Sequence, residues 1–291
     1  MKIKTAAKIN LALDVTGRLD NGYHLIESVF QTVGLYDEVS VELSGEGIAI
    51  SCELPESFEK SDPIPCDERN IAHKAAKLFF ESTGTDSGCT IHIKKGIPSQ
   101  AGMGGGSTDA AAVIYCLNRL TGDRLSAAEM ASMGKKIGAD VPFFFTGGTA
   151  YVGGIGEEIT PLPDYSGRLL VIAKGAEGVS TGEAYARIDA LTEPAHPDTN
   201  GLVDALKTAP ETAHSFFGNL FEQAVKLGEV TSLKWDMLSI GALSSVMTGS
   251  GSAVFGLFSD RAQAEICAAL LRTKGFFAEV CETVSSSFIE I

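Results

Sequence analysis

Lys94-Lys-Gly-Ile-Pro-Ser-Gln-Ala-Gly-Met-Gly-Gly-Gly-Ser-Thr-Asp-Ala-Ala-Ala-Val-Ile-Tyr-Cys-Leu-Asn-Arg-Leu120 decides how the rest of the chain is read. Gly102, Gly104, Gly105 and Gly106 remove four Cβ atoms from five positions, so the backbone can take positive φ and approach a ligand closely. The Ala110 to Leu120 run that follows propagates a helix well, with Ser107 or Thr108 as its expected cap. A glycine turn feeding a helix start presents unpaired N–H groups and a partial positive charge, the geometry that holds phosphate. Glycine clusters also make plain tight turns between packed elements, and the helix start behind this one favours the phosphate reading. A dinucleotide turn needs glycine at its sixth place, where Ser107 stands, and the P-loop ends in Gly-Lys-Ser/Thr, a lysine absent here. The loop is of a third kind.

The 291 residues suggest two domains, and 44% hydrophobic with 21% charged residues is an ordinary globular composition. A formal charge of −14 argues against a broad nucleic-acid or membrane-binding surface, so an anionic ligand needs a local positive site. The glycine loop supplies one from its amides. The pairs Lys94-Lys95 and Lys135-Lys136 could add to it, although such pairs are more often a solvated face. Six cysteines lack any C-x-x-C spacing, which favours free thiols in a reducing cytosol over a disulfide or metal framework. Met1-Lys-Ile3 enters a strand pattern directly, with no expected signal or transit peptide, and no apolar run is long enough for a membrane span.

Outward from the loop, Ile9, Leu11, Leu13 and Val15 alternate with polar or small residues, a half-buried strand that puts Lys8 and Asn10 side by side on one face. Asp20-Asn-Gly22 is a turn, with Tyr23-His24 behind it. Strands follow at Val39 to Leu43 and Ile48 to Ile50, split by the turn at Ser44 to Gly47, so the first domain begins as antiparallel sheet. Residues 53–69 form a charged, proline-bearing excursion. A helix capped by Asn70 runs to Gly84, and Cys89, Ile91 and Ile93 alternate in the strand before the loop. Ser126 with Glu129 is a capping box for a helix to Ile137. Gly138-Ala-Asp-Val-Pro-Phe143 then sets the Asp140 carboxylate beside an aromatic run, where it is either hydrogen-bonded structurally or kept for chemistry.

Gly147-Gly148 and Gly153 to Gly156 bracket a strand at Thr149 to Val152, and the domain boundary falls just after, giving domains of 1–158 and 159–291. The second half should hold a strand at Leu169 to Ala173 and a helix with a capping box at Ser180 and Glu183. Helices at 203–207, 215–226 and 229–238 follow, then a glycine cluster at Met247 to Ala253 and a strand at Val254 to Phe258. A helix from Asp260 to Lys274 and a closing strand at Phe276 to Val280 complete a small open sheet with helices on one side.

Pro98 to Ala112, Ala7-Lys-Ile-Asn-Leu11 and Met247-Thr-Gly-Ser-Gly-Ser-Ala253 resemble, in order and spacing, the three conserved segments of the GHMP kinases, the superfamily of galactokinase, homoserine kinase and mevalonate kinase. Within it, Ala7 to Leu11, Gly22-Tyr-His24 and Gly138 to Phe143 together resemble the branch that serves non-mevalonate isoprenoid synthesis, whose acceptor is a methylerythritol carrying a cytidine diphosphate group. Met103 and Thr108 stand where leucine and serine are commoner in that family.

The resemblance implies a two-domain α+β fold, its N-terminal domain like domain 2 of ribosomal protein S5 and its C-terminal domain ferredoxin-like, with the active site between them. It implies transfer of the ATP γ-phosphoryl with Mg²⁺, the nucleotide being held by Pro98, Ala101, Gly102, Met103, Gly104, Gly105, Gly106, Ser107 and Thr108. Asp140 would be the general base, assisted by Lys8. Asn10, Tyr23, His24 and Tyr185 would meet the acceptor, and Gly249 and Ser250 would lie near the phosphates. Ser107 is the candidate to lend the metal a hydroxyl. A cytoplasmic monomer or homodimer without nucleic-acid or membrane partners is expected. The rival readings are another GHMP kinase, for mevalonate, homoserine or a sugar, and a non-catalytic nucleotide-binding protein of the same fold.

Overall fold

The alternation at Ile9 to Val15 proves to be the middle of a longer strand. A computed structural model describes residues 1–55 and 64–291, so the centre of the expected excursion, residues 56–63, lies outside the described residues. β1 (Lys2–Arg18) and β2 (His24–Ser44) form a long antiparallel hairpin closed by the turn at Asp20 to Gly22. β3 (Ile48–Glu53) leads to α1 (Ile71–Thr83) and β4 (Gly88–Lys94). β3 does not pair with β2 as sequence proximity suggests. β4 inserts between them, antiparallel to β2 and parallel to β3, because the α1 crossover is long enough to return the chain. α1 is capped as expected: the Asn70 side chain accepts from Ala72 N, and Gly84 closes the helix at φ 63°.

α2 (Gly105–Leu120) starts at the glycines themselves, with Gly104 as N-cap at φ 69° and no side-chain cap. Ser107 and Thr108 therefore lie inside the first turn instead of capping it. α3 (Ala127–Lys135) carries both bonds of the Ser126–Glu129 box. α4 (Phe143–Thr146), β5 (Thr149–Gly153) and β6 (Glu158–Pro161) follow, so the expected boundary at 158/159 runs through β6, which pairs with β5.

The second half opens with β7 (Leu169–Lys174) and α5 (Thr181–Ile188). Only half of the second capping box forms: Ser180 accepts from Glu183 N, while the Glu183 carboxylate pairs with Arg187. α6 (Thr199–Thr208) is followed by a 3₁₀ segment at Pro210–Phe216. The continuous helix expected over 215–226 is absent. Its place is taken by β8 (Gly218–Asn219), a two-residue strand parallel to β1, and the short α7 (Phe221–Ala224). α8 (Gly228–Ile240), β9 (Ser244–Met247), β10 (Val254–Phe258), α9 (Arg261–Thr273) and β11 (Phe277–Glu282) follow. β11 is not the last strand: β12 (Phe288–Glu290) returns to pair with Ile3 to Thr5 of β1.

Among the described residues the strands form two sheets. The larger runs β12-β1-β2-β4-β3, with β5 and β6 added along β2 and β8 along β1. The smaller runs β11-β7-β10-β9 with every pair antiparallel, the ferredoxin-like order, and α8 and α9 cover one face. Its other face packs Leu170, Ile172, Phe255 and Leu257 against Ala7, Ile9 and Leu11 of β1. β1 is thus buried on both faces from Thr5 to Val15, and Lys8 and Asn10 lie inside the molecule, not on a solvated edge.

Candidate active site

Two cavities meet at the glycine loop. One, of about 310 Å³, is lined by Ile64, Arg69, Pro98, Gly102, Gly104 and Asp109, among others. The other, of about 230 Å³, is lined by Lys8, Asn10, Asp140, Tyr185, Gly249 and Ser250, among others. Gly102 and Gly104 belong to both walls. The first cavity takes in Ala101, Met103, Gly105 and Gly106, and the start of α2 leaves its first amides without intrahelical partners beside them.

The closeness of these walls depends on missing side chains. A Cβ on Gly102 would lie 2.2 Å from the Thr248 carbonyl oxygen, and one on Gly249 would lie 2.7 Å from Gly102 Cα. The two glycine loops touch backbone to backbone. β1 stitches them together: Lys8 N donates to Met103 O (3.0 Å), Asn10 N to Thr248 Oγ1 (3.0 Å), and Thr248 Oγ1 to Gly102 O (3.3 Å).

Lys8 is 4% exposed, its Nζ lying 4.4 Å from the Phe30 ring centroid and 3.6 Å from Asp140 Oδ2. Burial pushes the Lys8 ammonium below its ordinary pKa, with Asp140 opposing the shift. Asp140 is 31% exposed in the turn before α4 and remains open to the cavity. Lys8 also donates to Asn10 Oδ1 at 2.8 Å. That oxygen accepts in addition from Gly249 N (3.0 Å) and Thr248 Oγ1 (3.2 Å), while Asn10 Nδ2 donates to Ser28 Oγ. With its polar atoms so engaged, Asn10 holds Lys8 and the second glycine loop in place and has little capacity left for the acceptor.

Thr108 is fully buried, its hydroxyl and carbonyl both bonded to the Thr5 hydroxyl, and it is not among the residues lining the first cavity. Ser107 is half-buried in the first turn and is not among the residues that line either cavity, although its hydroxyl is the loop oxygen expected to meet a nucleotide-borne Mg²⁺. Among the described residues no group of His, Cys, Asp and Glu could hold a metal by itself, so the ion would come with the nucleotide. When bound it would neutralise charge on the phosphate oxygens.

The lysine pairs behave differently from a solvated face in one case. Lys94 is exposed beside Glu53, and Lys135 sits near Glu157, but Lys95 is buried between Asp37 and Asp109 behind the loop. Asp37 Oδ1 also accepts from Gly96 N and Ile97 N. Asp109 Oδ1 is buried without a hydrogen-bond partner, on a residue that lines the first cavity. Burial, opposed by Lys95 and reinforced by Asp37, holds the Asp109 carboxyl well above the usual range. The alternation of β4, with Cys89, Ile91 and Ile93 turned inward, already placed residue 95 on the inner face.

Tyr185 lines the second cavity and stacks on His24, with ring centroids 4.5 Å apart and planes 19° apart. Its ring also meets Phe221 edge-on at 5.0 Å. One face of Tyr185 is therefore taken by His24 and is not free for a base. Tyr23 is 60% exposed and, like His24, is not among the residues described as lining these two cavities. Sequence reasoning missed Asp189, which lies 2.7 Å from His24 Nε2, and Asn219, whose amide donates to Met247 O and Gly249 O. Neither belongs to a local motif.

Two family models match the chain, the GHMP kinases N terminal domain over residues 70–148 and the GHMP kinases C terminal over residues 203–275. A 4-diphosphocytidyl-2-C-methyl-D-erythritol kinase of Clostridium botulinum (strain Alaska E43 / Type E3) is 42% identical over 94% of this chain and 96% of its own length. The chain belongs to the 4-diphosphocytidyl-2-C-methyl-D-erythritol kinase family of GHMP kinases. A relative of the same name from Clostridium beijerinckii (strain ATCC 51743 / NCIMB 8052) is 38% identical over 92% of this chain and 94% of its own length. A crystal structure of a 4-(cytidine 5'-diphospho)-2C-methyl-D-erythritol kinase superposes with a TM-score of 0.78 at 28% identity, covering 97% of this chain and 99% of that one. Homoserine kinase from Cytophaga hutchinsonii ATCC 33406 shares the fold, with a TM-score of 0.77 at 19% identity over 100% of this chain and 97% of its own. The chain is a small-molecule kinase of that family, and the α+β two-domain expectation holds.

Proposed function

We propose that this kinase transfers the γ-phosphoryl of ATP to the 2-hydroxyl of 4-diphosphocytidyl-2-C-methyl-D-erythritol, in the cytoplasm and with Mg²⁺ carried by the nucleotide. The observation that carries the reading is the meeting of the two cavities at Gly102 and Gly104, with Asp140 and Lys8 on the acceptor side. Phosphoryl transfer asks for positioning and charge stabilisation more than for covalent help.

The loop amides at the start of α2 hold the nucleotide phosphates, and Ser107 offers its hydroxyl to the nucleotide-borne ion. The acceptor hydroxyl sits against Asp140. Its proton passes to the carboxylate as the new O–P bond forms and the bond to the β-phosphate oxygen of ADP breaks. Lys8, pinned by Asn10 and close to Asp140, places its ammonium beside the transferring group. Gly249 and Ser250 close the cavity from the second half. His24, stacked on the cavity-lining Tyr185, reads the cytosine with a polar edge, and the exposed Tyr23 supplies a stacking face.

The test is ATP consumption with Mg²⁺ against 4-diphosphocytidyl-2-C-methyl-D-erythritol, mevalonate, homoserine and galactose in parallel. Turnover with the first alone is the expected result. Turnover with another acceptor and none with the first would overturn the substrate assignment and leave the phosphate site standing.

A further inference from the structure

One helix holds His24 by two contacts. Tyr185 and Asp189 are four residues apart at the end of α5, hence on one face of it. The first stacks on the imidazole and the second meets Nε2. Asp189 is itself fixed, since Arg18 Nη1 donates to its Oδ2 at 3.0 Å and leaves Oδ1 to the histidine. The hydrogen bond from His24, helped by the charge on Arg18, holds the Asp189 carboxyl below its ordinary value, so it stays ionised and can only accept.

A carboxylate at 2.7 Å requires the proton to be on Nε2. In the neutral imidazole the lone pair then sits on Nδ1, which has no protein partner among the described residues. Cytosine and uracil differ at position 4, where cytosine offers an amino donor and uracil an oxo acceptor. A lone pair at Nδ1 matches the first and repels the second.

We infer that Asp189 is a positioning residue for base choice: by fixing the proton of His24 on Nε2, it makes Nδ1 the acceptor that takes the 4-amino group of cytosine and rejects the 4-oxo group of uracil. The inference rests on the proposed cytidyl substrate. Asparagine at position 189 can either accept from Nε2–H or donate to a bare Nε2, so it releases the tautomer while keeping size and surface position.

The experiment uses the full-length protein, wild type and Asp189→Asn, at about pH 8.5, above the usual imidazole range. Turnover is measured with the cytidyl substrate and its uridyl analogue, alongside the KM for ATP. The ¹⁵N shifts of the histidine ring report which nitrogen carries the proton. Wild type should show Nε2–H and prefer the cytidyl substrate. Asp189→Asn should show mixed tautomers, an unchanged KM for ATP and a cytidyl-to-uridyl ratio of kcat/KM lower by about tenfold, the worth of one hydrogen bond. An unchanged ratio, or equal losses for both substrates, overturns the inference while leaving the cytidyl reading in place. Wild-type turnover with neither pyrimidine compound, while another acceptor is phosphorylated, overturns the substrate reading and the inference with it.

Discussion

Replacing Gly102 by alanine adds one methyl group where the two glycine loops touch. Two costs follow from the geometry. Gly102 has φ +71°, a region that costs a residue with a Cβ about 1–2 kcal/mol. The added carbon would also lie 2.2 Å from the Thr248 carbonyl oxygen, 2.9 Å from its carbon and 3.1 Å from Gly249 Cα. All three are backbone atoms, so no rotamer change relieves the overlap, and overpacking of this kind costs about 1–3 kcal/mol. Together the variant should lose about 2–5 kcal/mol, a fall in Tm of roughly 5–15 °C for a chain of this size. The larger effect is on rate. Separating the loops by about 1 Å displaces the phosphate amides from Lys8 and Asp140, and a shift of that size is worth about 10²-fold in turnover. The assay is ADP release under varied ATP and acceptor, with thermal melts of the same preparations. Gly228→Ala is the matched control, because nothing lies within 4 Å of its added carbon at the start of α8. A folded Gly102→Ala enzyme with kcat/KM within about threefold of wild type would refute the claim that loop contact sets the site, since the misplacement would then cost nothing.

Asp140→Asn should lower kcat by about 10²–10⁴-fold and leave ATP affinity intact by calorimetry; near wild-type kcat would remove Asp140 as the base. The alkaline limb of the kcat profile should fall below the ordinary lysine value of 10.5, because burial favours the neutral amine of Lys8; Lys8→Arg should move that limb upward, and an identical limb in both proteins would detach it from Lys8. Lys95→Met strands two buried carboxylates and should cost about 3–5 kcal/mol at pH 7 by urea unfolding. The sign with pH follows from Asp109, whose folded pKa lies above its unfolded value: the folded state holds the extra proton, so stability of this variant is greatest near or below pH 3.8 and is lost as pH rises through the window above. Stability that instead climbs through that window would show the carboxylates are not what the lysine neutralises.

The parts of this fold that were legible in the sequence are those whose signal is local. The Asn70 cap, the Gly84 stop, the Ser126–Glu129 box and the apolar run of β7 each occupy a few adjacent residues, and each forms. The glycine loop was legible for the same reason. Lys8 and Asp140 are far apart in sequence, and only their resemblance to a known pattern joined them before the 3.6 Å contact did. What stayed hidden depends on partners that lie far along the chain. β8 is two residues long, too short for any period, and exists because β1 offers a free edge. β12 pairs residues 288–290 with 3–5, a closure no local pattern announces. Asp189 reads as an ordinary helix-end acid until Arg18 and His24 come up to it. Lys95 was within reach, since the β4 alternation points it inward, but a lysine pair reads as surface by its charge. Burial between two aspartates is what lets the alternation prevail.

β1 explains why so many of these distant contacts converge. Its inner face packs on the second sheet through Ile9 and Leu11, and the alternate residues carry Lys8 and Asn10 to the loops. Its backbone bonds Met103 O through Lys8 N, Thr248 Oγ1 through Asn10 N, and Leu220 N through Leu13 O. One strand thus touches both glycine loops and the segment that carries Asn219 and Phe221. Among the described lining residues the second half of the chain contributes none that is charged, yet it fixes where the Lys8 charge stands, because Asn10 Oδ1 accepts from Lys8 and also from Gly249 N and Thr248 Oγ1 of the second glycine loop. A lysine alone on a strand would spread over several rotamers and pay for solvation in each. Tied to an amide that is tied in turn to the opposite loop, it has one position, and that position is correct only when both halves are packed together.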